Sequence, residues 1–186
     1  MLDLTLALND LKHVHQAHIV SVGNECKELL LLMSEEPASR RTFHCINLTS
    51  RRRQSFTFTP AEEASASCTF ASSLGCYLYE PGASVLKAGA FRTLASRFHV
   101  EKLHPNSHLY TSDEALPHFP GRAFRIDGWC GFGKHEVKEL LGDVQKANLT
   151  VRNFPASVSE LRKRFKLAEG GNAVSYTHLT LPTILR

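Results

Sequence analysis

Short apolar runs of strand length alternate with helix-length segments along this chain, and that alternation restricts the fold more than any other feature. Residues 17–22 and 43–48 are compact apolar runs typical of buried strands. In residues 54–59 apolar and polar side chains alternate, which is typical of a half-buried strand. Asn24 is a suitable N-cap for a helix that continues to about Ser34. Strand, helix and strand in close succession predict an α/β layer structure with a right-handed crossover.

The second half of the chain repeats the alternation with clearer boundaries. Apolar periodicity predicts strands over residues 77–79, 108–111, 123–129 and 148–152, and helices over residues 84–98, 134–141 and 158–166. Ser157 and Glu160 form a capping box at the start of the last helix. The Ala- and Ser-rich residues 60–75 are predicted to be a linker or a loose loop.

Composition excludes several classes of protein. The 186 residues are 42% hydrophobic and 22% charged, which is ordinary for a globular protein with a buried core. The net charge of +4 points weakly toward polyanions. No apolar run is long enough to span a bilayer, so we expect no membrane partner. The five cysteines include no CxxC pair, which favours reduced thiols and a cytoplasmic location.

Four dense motifs in the second half carry a family resemblance. They occupy residues 77–81, 86–91, 103–112 and 149–155. They resemble the C-terminal region of a bacterial protein family that joins a class I S-adenosylmethionine methyltransferase domain to a small ferredoxin-like segment and a THUMP-like domain. Residues 20–30 extend the resemblance into the first half of the chain.

The resemblance implies a division of the chain into parts. Residues 1–76 would be the C-terminal remnant of the methyltransferase domain plus a linker, residues 77–115 the ferredoxin-like segment, and residues 116–173 a THUMP-like domain that lacks its last strand. The implied fold class is α/β (α+β), with a truncated Rossmann-like methyltransferase edge followed by two small α+β units. We expect the residues that bind S-adenosylmethionine to lie upstream of Met1, so that this fragment binds no cofactor itself.

The last thirteen residues form a separate segment. Residues 174–183 resemble the translation of an adapter used in transposon-based sequencing libraries. We therefore expect residues 174–186 not to belong to the natural protein. Val174, Tyr176, Thr177 and Leu179 nevertheless have high β propensity, which predicts an edge strand.

Basic side chains are the candidates for contact with RNA or another substrate. On the last helix Val158, Leu161 and Phe165 would face the core, so its basic residues point toward water. They can form a merely solvated face or bind the phosphates of structured RNA. The candidates are Lys87, Lys146, Arg152, Arg162, Lys163, Arg164 and Lys166. Tyr79 and Glu80, which precede a predicted helix, are candidates for bridging the domains.

Two other motifs have some of the features of ligand sites. Residues 131–134, Gly-Phe-Gly-Lys, lie between a strand and a helix and could hold a phosphate at the helix N-terminus, but a tight turn is favoured because no complete phosphate-loop pattern is present. His13, His15 and His18 could ligate a metal, since alternate residues share a strand face, but no carboxylate or thiolate stands at ligand spacing, and a solvent-exposed loop before the strand is favoured. We expect no metal.

Two functions follow as hypotheses. The first is that the intact protein is an S-adenosylmethionine-dependent methyltransferase, acting on RNA, in which this inactive fragment supplies a substrate-recruiting THUMP-like region. The alternative is a non-catalytic module that binds RNA or protein. Neither hypothesis assigns a catalytic residue to this chain, because no complete catalytic constellation is present in it.

Overall fold

The computed structural model describes residues 4–50, 52–152, 154–178 and 183–185. The first sheet has four strands, in the order β2-β1-β3-β4. Its strands are β1 (Val14–Val22), β2 (Glu25–Met33), β3 (Thr42–Leu48) and β4 (Arg53–Phe58). β1 pairs antiparallel with β2 and parallel with β3, and β4 pairs antiparallel with β3. The segment 4–10 precedes the sheet as the helix α1 (Leu4–Asp10).

The predicted helix over residues 24–34 is wrong, because this segment is the strand β2. Gly23 and Asn24 have φ angles of 58° and 66°. Two consecutive positive φ angles are characteristic of the type I′ turns that join hairpin strands. The hairpin brings Val22 opposite Glu25 and Ile19 opposite Leu29. The strand–helix–strand crossover predicted here is therefore also wrong.

A second sheet has seven strands, in the order β6-β7-β5-β8-β11-β10-β9. Its strands are β5 (Tyr77–Pro81), β6 (Glu101–His104), β7 (Ser107–Ser112), β8 (Gly121–Trp129), β9 (Lys146–Arg152), β10 (Ala168–His178) and β11 (Thr183–Leu185). β10 contains the start of the C-terminal tail and lies between β11 and β9, so the prediction of an edge strand is wrong. Residues 179–182 and 186 of that tail lie outside the described residues.

Five further helices are present in the described part of the chain. They are α2 (Pro60–Ser65), α3 (Ala83–Ala88), α4 (Phe91–Phe98), α5 (Lys134–Leu141) and α6 (Val158–Phe165). The predicted linker 60–75 contains α2, which begins with a capping box at Thr59 and Glu62. The single helix predicted over residues 84–98 is interrupted at Gly89, whose φ of 75° ends α3. α5 and the capping box of α6 confirm their predictions.

The largest hydrophobic core joins the two sheets. It includes Ile19 and Phe43 from the first sheet, Tyr79 and Tyr110 from the second, and Leu94 from α4. A second core, which includes Leu78, Leu109 and Tyr176, lies on the opposite face of the seven-stranded sheet. A third core contains buried side chains of α5 and β9. The architecture is α+β, as the sequence predicts.

Candidate anion-binding sites

A buried carboxylate on β5 holds side chains from three other strands. Glu80 Oε2 accepts hydrogen bonds from Arg122 Nε at 2.9 Å and from Tyr176 Oη at 2.8 Å, and Arg122 Nη2 also contacts it. Glu80 Oε1 accepts a hydrogen bond from Arg152 Nη2 at 2.6 Å. Arg122 Nη2 also donates to Tyr176 Oη at 3.1 Å. We call Glu80, Arg122, Arg152 and Tyr176 the Glu80 cluster.

Pairing of neighbouring strands explains the contact between Glu80 and Arg122. Glu80 and Arg122 are directly opposite each other on the antiparallel strands β5 and β8, so their side chains lie on the same face. Gly121 stands beside them, and a Cβ at this position would be 2.8 Å from Pro81 Cα. The absence of a side chain at Gly121 therefore permits the close approach of β5 and β8 at the cluster.

Electrostatics keeps Glu80 ionised. Burial acts to raise the pKa of the Glu80 carboxyl, but the charge of Arg122 and the hydrogen bonds from Arg122, Tyr176 and Arg152 hold the pKa below its ordinary value. Burial and the neighbouring Glu80 raise the pKa of Tyr176, so its hydroxyl stays neutral. One negative and two positive charges give the cluster a net charge of +1.

A second basic feature is a groove between α5 and α6. Its cavity volume is about 360 Å³. The lining side chains are Lys134, Lys138, Leu141, Val144, Arg164, Phe165 and Lys166, with the backbone of Gly142. Four of these residues are cationic and none is acidic. We call this feature the α5–α6 groove.

Arg164 is held in the α5–α6 groove by an aromatic ring. Its guanidinium carbon lies 4.1 Å from the centroid of the Phe132 ring, and Nη2 donates to the Phe132 carbonyl at 3.1 Å. Phe132 packs in turn on Phe154 and Phe165. A stacked guanidinium keeps its charge while it loses mobility, which favours recognition of a planar or anionic ligand.

The basic residues predicted to contact RNA or another substrate do not form a single site in the structure. Arg152 belongs to the Glu80 cluster, and Arg164 and Lys166 line the α5–α6 groove. Lys163 is exposed on α6 but does not line the groove, and Arg162 donates to the Ala147 carbonyl at 3.2 Å.

Lys146 and Lys87 lie apart from that set. Lys146 is exposed at the start of β9, and a Cβ at Gly171 would lie 2.9 Å from its carbonyl oxygen. Lys87 is on α3, which packs against β1 and β3 of the first sheet. The structure therefore places Lys87 away from α5 and α6, and whether either lysine contacts a substrate stays a prediction.

The two candidates for domain bridging have different surroundings. Glu80 connects β5 to Arg152 on β9, across the second sheet. Tyr79 is fully buried, donates a hydrogen bond to the Glu114 carbonyl at 2.6 Å and accepts one from Leu116 N at 3.0 Å. Tyr79 therefore fastens the loop between β7 and β8 to the largest core.

Sequence reasoning missed Arg122 and Lys138, and it considered Lys134 only as part of the Gly-Phe-Gly-Lys motif. Arg122 follows the Phe-Pro-Gly turn that opens a predicted strand, and pairing of that strand with the one that contains Glu80 would have indicated it. Lys134 and Lys138 are four residues apart, so they share one face of α5. That spacing was a usable signal, although their groove depends on α6, which is distant in sequence.

The glycine loop before α5 holds a carboxylate of its own. A Cβ at Gly133 would lie 2.7 Å from Glu136 Oε1, and the same carboxylate also occupies the space beside Gly131. A negative side chain at a helix N-terminus is favourable in itself and repels a phosphate from the same position. The tight-turn interpretation is therefore supported.

His15 and His18 lie on β1 and not in a loop before the first strand, and both side chains have other contacts. His18 stacks on His44 with ring centroids 4.5 Å apart, and His15 Nε2 is 2.7 Å from Ser34 Oγ. Among the described residues, no group of three or more His, Cys, Asp and Glu side chains could hold a metal ion. In the same part of the chain, no helix is long and apolar enough to cross a membrane.

Comparison with known proteins assigns the two C-terminal parts. Residues 77–120 match the model of a ferredoxin-like domain, and residues 121–180 match the model of a THUMP domain-like family. The whole chain is similar to 49% of the chain in a crystal structure of a "putative methyltransferase from Porphyromonas gingivalis W83", with 40% identity and a TM-score of 0.88. A search of the curated proteins finds no match. The chain thus spans about half the length of that structure, and the resemblance read from its sequence is confirmed.

Proposed function

Because the chain belongs to the family that joins a ferredoxin-like domain to a THUMP-like domain, we propose that it is the RNA-recruiting part of an S-adenosylmethionine-dependent methyltransferase that acts on RNA. The observation that carries the proposal is the α5–α6 groove, where four cations surround a concave surface on the THUMP-like domain. Phosphates of structured RNA are bound by such clustered charges, and shape rather than base sequence guides the contact.

The order of strands and helices in the described residues supports a cofactor site elsewhere in the protein. In class I folds the cofactor lies where a parallel strand leads through a glycine-rich loop into a helix. Here the parallel strands β1 and β3 are each followed by an antiparallel neighbour. β9, which is parallel to β10, leads into α6, but residues 153–157 between them contain no glycine. We therefore place the site for S-adenosylmethionine, and the transfer of its methyl group, in the remainder of a longer protein.

Binding of RNA is the direct test of the proposal. We expect fluorescence anisotropy to show that the 186-residue chain binds a fluorescein-labelled transfer RNA, with affinity that falls steeply as salt rises. The double variant K134Q/K138Q should weaken this binding several-fold. It should also reduce the slope of log affinity against log salt by about one for each phosphate that the variant no longer neutralises.

A charge-matched control separates the groove from general charge. Lys163→Gln removes one cation from α6 outside the groove, so we expect a smaller loss of affinity than that of Lys138→Gln. Equal losses, or binding that ignores salt, would exclude the groove as the site for RNA. Calorimetric titration with S-adenosylmethionine should give no binding heat, and micromolar binding would contradict the assignment of the cofactor to another part of the protein.

A further inference from the structure

We propose that Arg122 and Arg152, positioned by the buried Glu80, bind a phosphate group of the RNA backbone at the junction of the ferredoxin-like and THUMP-like domains. This site shares no residue with the α5–α6 groove. The inference rests on the proposed function in one respect only, namely that the phosphate belongs to RNA.

The positive and negative charges of the Glu80 cluster differ in their exposure to solvent. The Glu80 side chain is 3% exposed, whereas the side chains of Arg122 and Arg152 are 48% and 44% exposed. The single negative charge is therefore buried beneath two cations that reach solvent. An anion that approaches from solvent meets both guanidinium groups while the carboxylate lies behind them.

Hydrogen-bond donors remain on the outer side of both arginines. Arg122 uses Nε and Nη2 toward Glu80 and Tyr176. Arg152 uses Nη2 toward Glu80, and its Nη1 donates to the Val151 carbonyl at 3.4 Å. Among the hydrogen bonds of the described residues, Arg122 Nη1 and Arg152 Nε donate to no partner. Each guanidinium has five N–H donors in a planar fork, so both can contact the oxygens of one phosphate.

Positioning by Glu80 lowers the cost of binding. A free arginine loses side-chain entropy when it is immobilised on a ligand, at about 0.5–1.5 kcal/mol for each rotamer-rich side chain. Hydrogen bonds to Glu80 have already restricted both arginines in the unbound protein. Tyr176 adds a neutral hydroxyl, which donates to Glu80 and accepts from Arg122, so it helps to position both groups without adding charge.

The strand β8 supplies a matched control for the first arginine. Arg125 is three residues from Arg122 on β8, so it points to the opposite face of the sheet, where it pairs with Asp127 at 3.2 Å. Arg122→Gln and Arg125→Gln remove the same charge from the same strand. A difference between them therefore reports the face of the sheet that contacts the ligand.

The first experiment measures transfer RNA binding by the full chain and these variants over a salt titration. We expect Arg122→Gln and Arg152→Gln each to weaken binding about 3- to 10-fold and to reduce the salt slope by about one, while Arg125→Gln stays within twofold of wild type. If Arg122→Gln and Arg152→Gln lost no more affinity for RNA than Arg125→Gln does, the proposed site would be refuted.

Arg122→Lys separates ligand binding from folding. It keeps the positive charge but lacks the planar fork, so we expect binding between that of wild type and Arg122→Gln. Thermal unfolding identifies any variant that loses its fold. If Arg122→Gln is unfolded, wild-type affinity in a folded Arg122→Lys overturns the role of the guanidinium.

Direct observation of the arginines distinguishes this inference from the proposed function. The Nε–Hε resonances of Arg122 and Arg152 are followed by NMR during separate titrations with inorganic phosphate, adenosine 5′-monophosphate and transfer RNA. We expect all three to shift both resonances, with RNA acting at the lowest concentration. Shifts without any RNA affinity would refute the proposed function and support a site for free phosphates, whereas unchanged resonances in all three titrations would refute the site.

Discussion

Glu80 and Arg152 form a hydrogen-bonded ion pair although 72 residues of sequence and three strands of the sheet separate them. Four strand spacings in a flat sheet amount to about 19 Å, more than two side chains can bridge. The seven-stranded sheet is therefore strongly curved, and its β9 edge returns toward β5. The same curvature encloses Leu78, Leu109 and Tyr176, so the ion pair lies at the rim of a hydrophobic core.

Removal of the charge on Glu80 should destabilise the chain. Glu80→Gln keeps the size of the side chain but replaces charge-assisted hydrogen bonds by neutral ones and leaves two arginines facing each other. We expect the free energy of unfolding in urea at pH 7 to fall by about 1.5–3 kcal/mol. Arg125→Gln, which disturbs only an exposed pair, should change it by less than about 0.5 kcal/mol. Equal stabilities of Glu80→Gln and wild type would contradict the structural role of the cluster.

Acid should remove the same stabilisation from the wild-type chain. The pKa of Glu80 is lowered in the folded protein relative to the ordinary value of 4.5. A lowered folded-state pKa means that the unfolded chain binds the proton first, so the contribution is complete above pH 4.5 and disappears as pH falls through the folded-state value. Urea titrations from pH 7 to pH 3 should show a smaller loss for Glu80→Gln than for wild type. If the free energies of unfolding of Glu80→Gln and wild type fell equally with pH, protonation of Glu80 would not be the cause of the acid destabilisation.

The limits of sequence reasoning are visible in particular residues. The capping box at Ser157 and Glu160 is a local signal, and it placed α6 correctly. The leucines of β2 are compatible with helix and strand alike, and the Gly23-Asn24 turn decides between them through its backbone angles. The sequence indicates Glu80 because it precedes a predicted helix, and Arg152 because it is one of the basic candidates for contact with RNA. Their contact could not be predicted, because it depends on the curvature of a sheet whose strands are distant in sequence.

Gly121 should be intolerant of any side chain. A Cβ there would stand against the Glu80 carbonyl oxygen and 2.9 Å from Gly82 N, and these are backbone atoms that cannot rotate away. We expect Gly121→Ala to lower the free energy of unfolding by about 1–3 kcal/mol, since overpacking must be relieved by movement of β5 or β8. Gly82→Ala is the control, because its Cβ would meet its nearest atom at 3.3 Å. If Gly82→Ala lowered the free energy of unfolding as much as Gly121→Ala, the close approach of β5 and β8 would not be the cause of the loss.

The N-terminus of α4 depends on a carboxylate from another helix. Glu63 on α2 accepts hydrogen bonds from the backbone N–H groups of Phe91 and Arg92 at 3.0 and 2.8 Å and from that of Thr93 at 2.8 Å. Glu63→Ala leaves these donors without a cap, so we expect a loss of about 1–2 kcal/mol in urea unfolding. Glu101→Ala removes an exposed carboxylate from β6 and serves as the control. Equal effects of the two substitutions would exclude the capping role of Glu63.

The outer face of the first sheet should promote self-association. Leu30 and Leu32 on the edge strand β2 are 53% and 55% exposed. Exposed apolar side chains on an edge strand favour contact between molecules. We expect the double variant L30K/L32K to shift the chain toward the monomer in analytical ultracentrifugation without lowering its thermal stability. Leu31→Lys, which alters the neighbouring residue that packs on the core, should destabilise the chain instead. Unchanged association of L30K/L32K would show that this face does not mediate contact.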